Sequence, residues 1–118
     1  MYAPHQKEKR MMKELIIKFD FAYGPIWKDI YDPNTKTWIT GIDVIDQDAA
    51  LNELNDAAEK EYASLYVFDD CGIPHFDDLS YQNKKTDLRS LVSRIIERAN
   101  FLNDGSYVVK DLASRELR

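Results

Sequence analysis

The sequence predicts an α+β domain: two amphipathic helices packed on an antiparallel sheet of three to five strands. Three observations carry this. Leu51, Leu54, Ala58, Tyr62 and Leu65 recur at spacings of three and four, one face of a helix. Leu88, Leu91, Val92, Ile95, Ile96, Ala99 and Leu102 form a second such stripe. Short runs of β-branched and aromatic residues, separated by turn-forming clusters, supply the strands. Helices on one face of a sheet bury both stripes at once. A length of 118 residues allows one domain. It is expected over 12–118, after a poorly ordered charged leader of residues 1–11, and the pattern leaves open a translational start at Met11 or Met12.

The elements follow in order. Leu15–Phe21 is a β-rich run that alternates after Ile17, and Tyr23-Gly24-Pro25 breaks it. Asp32-Pro33-Asn34-Thr35-Lys36 is a turn cluster, because Pro fixes φ and Asn tolerates the left-handed region. The runs on either side, Trp27–Tyr31 and Thr37–Ile42, read as a hairpin. Asp46 or Asp48 caps the first helix, whose N-terminal half carries acids that suit the helix dipole. That helix ends between Ser64 and Phe68, and Tyr66–Phe68 is either its continuation or a short strand. Asp69–Tyr81, with Gly72 and Pro74 inside, reads as a loop. The second helix starts near Asn83–Thr86 and stops at Asn103-Asp104-Gly105, where Gly suits a left-handed cap. Ser106–Lys110 is a final strand, and Leu112–Arg118 a frayed helical turn.

Charge is unevenly distributed. The net charge is −5, yet residues 19–83 hold three basic residues against fourteen acidic ones, a net −11, and the two flanks are each +3. Such a surface repels nucleic acid and attracts basic partners. No phosphate-binding glycine loop and no interleaving of basic and aromatic residues is present. The longest apolar stretch near the N-terminus, Leu15-Ile16-Ile17, is too short to span a membrane, and no targeting signal stands out. A lone cysteine, Cys71, excludes an intrachain disulfide and a cysteine-rich zinc module, and fits a reducing, cytoplasmic compartment.

Cys71 and His75 lie four apart among Asp69, Asp70, Asp77 and Asp78, residue types that ligate zinc. The loop composition gives no geometry for a metal site or a Cys–His nucleophile, and the preferred reading of Cys71 is a buried thiol. Arg89, Arg94 and Arg98 lie off the apolar stripe of the second helix and read as a solvated face. Rings mixed with carboxylates are a stronger pattern for binding, because aromatic residues anchor interfaces and carboxylates suit a partner rich in Lys and Arg. The candidate partner-binding residues are Asp43, Asp46, Asp48, Asp69, Asp70, His75, Phe76, Asp77, Asp78 and Tyr81. No catalytic residue, cofactor or metal is assigned. The competing interpretation is that the rings are core and the acids are solubilising rim.

Three segments, Gly41-Ile-Asp-Val-Ile-Asp46, Glu53-Leu-Asn-Asp56 and Asn103-Asp-Gly-Ser-Tyr-Val-Val-Lys-Asp111, occur in that order. In this the chain resembles small bacterial immunity proteins of polymorphic toxin and contact-dependent growth-inhibition systems. The resemblance implies a non-enzymatic cytoplasmic protein that neutralises one toxin domain, commonly a nuclease. The alternatives are a small metal-dependent protein or enzyme built on Cys71 and His75, and an acidic adaptor for another basic protein.

Overall fold

The structure is a computed structural model that describes residues 12–20 and 23–117. The leader expected over residues 1–11 lies outside the described residues, as do Phe21 and Arg118. In chain order the elements are β1 (Lys13–Ile17), β2 (Ile30–Asp32), β3 (Thr37–Ile39), α1 (Asp43–Asp46), α2 (Ala49–Ala63), β4 (Tyr66–Phe68), β5 (Pro74–Phe76), α3 (Asp78–Leu102), β6 (Tyr107–Asp111) and α4 (Ala113–Glu116). The α+β class and the two long helices are as the apolar stripes indicate. The sheet is smaller than expected: the strands form three two-stranded pieces, β1–β6, β2–β3 and β4–β5.

The β1–β6 pair is parallel, with Lys13 opposite Tyr107 and Ile17 opposite Asp111. A parallel pair needs a long crossover, and here almost the whole chain provides it. On the other side of β1 the segment 25–27 runs antiparallel. Lys18 N–H donates to the Pro25 carbonyl (2.8 Å) and Trp27 N–H to the Ile16 carbonyl (2.9 Å). β1 is therefore the centre of the β layer, and its Leu15 and Ile17 are fully buried. The 25–27 segment is held from below by the buried Asn55, whose Oδ1 accepts from Ile26 N–H (2.8 Å).

The helices α2 and α3 lie antiparallel. At one end Arg98 of α3 pairs with Asp48 before α2, and at the other Lys84 Nζ donates to Ser64 Oγ (2.6 Å). Leu51, Ala58 and Leu65 meet Leu88, Val92, Ile95 and Ala99 in one core with Leu15, Ile17 and Tyr107. Fully burying each large aliphatic side chain stabilises the fold by about 1.5–3 kcal/mol. The Tyr107 hydroxyl donates to the Ala99 carbonyl (2.5 Å), and burial pushes its pKa up. α4 closes the core with buried Ala113 and Leu117.

Three expectations are corrected. The Asp69–Tyr81 segment is not a loop but a strand turn completing the β4–β5 hairpin, followed directly by α3. α3 begins at Asp78, not near Asn83–Thr86, because the Asp77 carboxylate caps it by accepting from Leu79 and Ser80 N–H. Polar residues 82–87 are helical without an apolar stripe, so periodicity alone misses this turn. At the other end the chain leaves α3 in extended backbone at Asn103, and Gly105 forms the turn into β6 instead of capping the helix.

Candidate functional site

The ten candidate residues fall into two groups at opposite ends of the helix pair, separated by the length of α2, about 22 Å at 1.5 Å per residue. Asp43, Asp46 and Asp48 surround the start of α2. Asp69, Asp70, His75, Phe76, Asp77, Asp78 and Tyr81 gather on the β4–β5 hairpin and the first turns of α3.

Four of the seven carboxylates are committed within the fold. Asp46 accepts from Thr40 N–H (2.9 Å), the Thr40 hydroxyl (2.7 Å) and Gly41 N–H (3.0 Å), fixing the chain between β3 and α1. Asp48 caps α2 through Leu51 N–H and forms a two-pronged pair with Arg98 at 2.8 and 3.1 Å. The Arg98 guanidinium holds the Asp48 carboxyl below the usual carboxylate range. Asp69 organises the hairpin turn by accepting from Cys71 and Ile73 N–H (both 2.9 Å), and its Oδ2 meets His75 Nε2 at 2.9 Å. The His75 contact is the main cause of its lowered pKa, with the backbone N–H groups adding to it. Asp77 is the α3 cap, and its bond from the Ser80 hydroxyl (2.7 Å) contributes most to its lowered pKa. Asp43, Asp70 and Asp78 are exposed and carry no such assignment.

Phe76 and Tyr81 belong to a run of five rings. Phe19 stacks on Tyr62 (4.6 Å between centroids), and Tyr62–Tyr66, Tyr66–Phe76 and Phe76–Tyr81 follow at 5.5–5.7 Å. The run connects the core to the hairpin, and Asp77 N–H donates to the Leu65 carbonyl (2.6 Å) beside it. The hairpin is thus rigidly mounted, although its outer surface is apolar. Val67, Phe68 (61% exposed), Ile73, Phe76 and Leu79 (73%) all face solvent. Residue patterning missed four of these, all but Phe76. The signal lies in Tyr66-Val-Phe68, which the sequence already offers as a short strand, and in Ile73, next to a second strand that Gly72 and Pro74 mask; Pro is tolerated at the first residue of an edge strand.

Cys71 is exposed at the hairpin turn, which overturns the reading of a buried thiol. Among the described residues no group of three or more His, Cys, Asp or Glu side chains is arranged to hold a metal ion. A cleft of about 300 Å³ lies between α3 and α4, with Val92, Ile96 and Leu117 as its apolar floor. Arg89 at its edge is tied to the Leu117 carbonyl (2.6 Å), where it secures α4. No helix among the described residues is long and apolar enough to cross a membrane. Comparison of the chain with protein-family models, with curated proteins and with solved structures gives no match in any of the three.

Proposed function

We propose that the protein is a cytoplasmic immunity protein that binds and neutralises a cognate toxin domain, a nuclease, through its acidic surface. The observation that carries this reading is the β4–β5 hairpin with the first turn of α3: exposed Phe68, Ile73, Phe76 and Leu79 stand beside Asp70 and Asp78, which are free of capping duties. Apolar side chains at the centre with charges at the rim is the anatomy of a protein interface. A nuclease surface that holds phosphates is basic, and carboxylates set against it exclude the substrate. Close charge pairs at such an interface couple by about 1.5–7 kcal/mol, and the long-range field speeds encounter. The resemblance of the Gly41–Asp46, Glu53–Asp56 and Asn103–Asp111 segments to immunity proteins supports the same reading.

The test is to look for a secreted-toxin gene beside this one and to co-express its toxin domain with this protein. Growth rescue and a stable complex are expected. No rescue and no complex would overturn the proposal. The single exposed thiol gives an internal check, because partner binding over the hairpin protects Cys71 from a maleimide reagent.

A further inference from the structure

We infer that the β2–β3 hairpin pairs two copies of this chain. This goes beyond the toxin-binding reading and does not rest on it. Tyr31 and Trp38 are directly opposite in the β2–β3 register and so share one face of the hairpin. Their rings meet edge to face, 5.5 Å between centroids, and remain 48% and 58% exposed. Among the described residues nothing hydrogen-bonds the Tyr31 hydroxyl or the Trp38 indole N–H. Tyr and Trp with free polar tips are the residue types concentrated in interfaces. A two-stranded hairpin is also marginal alone in water and gains from a covering surface.

Charge selects the occupant. Residues 43–83 hold eleven acidic residues and one basic, so self-contact over that surface, including the β4–β5 hairpin, brings like charges together. Residues 23–42 are the neutral exception, with Lys28 and Lys36 against Asp29 and Asp32. Asp29 and Lys36 form no ion pair among the described residues. A two-fold interface must complement itself, residue i meeting j and j meeting i. A neutral hairpin carrying both signs and an aromatic pair meets that condition, whereas a strongly basic partner finds no net attraction there.

The contact is small beside the roughly 800 Å² per partner of a stable interface, so the dimer is weak and concentration-dependent. Sedimentation equilibrium of the full chain from about 10 µM to about 1 mM covers that range. The expected result is a mass rising from 13.8 kDa toward twice that value. Trp38→Ser is expected to raise the dimer dissociation constant by at least about tenfold, and Phe68→Ser to leave it unchanged. Amide NMR shifts of the unmodified protein over the same dilution series are expected to move at residues 29–40, which keeps the test independent of whether Trp38→Ser folds. A mass of 13.8 kDa throughout, or a dimer whose shifts map to the β4–β5 hairpin and which Phe68→Ser disrupts, would overturn the inference.

Discussion

Asp48 and Arg98, fifty residues apart in sequence, join the start of α2 to the last turns of α3 through two hydrogen bonds at 2.8 and 3.1 Å. Asp48 also accepts from Leu51 N–H, so one carboxylate caps a helix and fixes the helix pair. Asp48→Ala is expected to lower unfolding free energy by about 1–2 kcal/mol, the upper part of the range for a lost N-cap. Asp48→Asn keeps a cap acceptor and is expected to cost less. Urea titration followed by circular dichroism measures both.

The same pair sets a pH dependence. The folded state holds Asp48 below its ordinary value, chiefly through the Arg98 hydrogen bond, so folding favours the ionised form. This contribution is present above the unfolded value of about 3.9 and is lost as pH falls through the folded one. Glu116 has the opposite sign: burial pushes its pKa up, only partly offset by Phe19 N–H and Lys18, so folding disfavours its charge. Its penalty is absent while the group is protonated and appears as pH rises through the unfolded and then the folded value. Glu116→Gln is therefore expected to raise stability at pH 7 and to lose that advantage in acid. Urea midpoints from about pH 7 to about pH 3 read both effects.

Gly24 and Asn55 form a second interlock. A Cβ at Gly24 would lie 2.4–2.6 Å from the Asn55 side-chain atoms, inside any normal contact. Gly24→Ala must displace the acceptor of Ile26 N–H. Asn55→Ala strands that buried donor at about 1–3 kcal/mol, and Gly24→Ala is expected to cost a similar amount through overpacking. Because both act on one contact, the double variant is expected to be less destabilised than the sum of the singles. A fully additive pair in thermal denaturation would show that the two residues act independently.

How legible these features are in the sequence depends on their range. The helical stripes are local and strong: Leu51, Ala58, Leu65, Leu88, Val92, Ile95 and Ala99 are all in the core. The parallel pairing of β1 with β6 joins residues more than ninety positions apart, and no turn signal announces it. The acid-rich middle reads as one surface, yet α2 divides it in two. Asp46, Asp48, Asp69 and Asp77 resemble Asp43, Asp70 and Asp78 in sequence and differ only in which N–H groups fold toward them. The sequence offers Asp46 and Asp48 equally as the cap; Asp48 takes that place, and Asp46 holds Thr40 and Gly41.

Cys71 offers a rapid check on the hairpin. As the lone, exposed cysteine it is expected to react with a thiol reagent in the native protein at nearly the rate seen in urea. Strong native protection of the monomer would mean that the turn is covered.

The four aspartates of the hairpin divide into two pairs with different consequences. Asp69 holds the turn through Cys71 and Ile73 N–H, and Asp77 starts α3, so Asp69→Asn and Asp77→Asn are expected to loosen the hairpin and lower the melting temperature. Asp70 and Asp78 are exposed and outside these networks, so Asp70→Asn and Asp78→Asn are expected to leave melting unchanged. Against a basic partner the second pair acts on encounter: association slows, its salt dependence flattens, and dissociation changes little. Phe68→Ala and Leu79→Ala remove exposed apolar area instead, and are expected to speed dissociation, by about 2 kcal/mol or more if either ring or chain is a central anchor. Surface plasmon resonance at two salt concentrations, with melting curves for each variant, separates the two effects. If Asp70→Asn and Asp78→Asn melt early while binding stays intact, the exposed carboxylates serve the fold and the interface lies at the Asp43 end of α2.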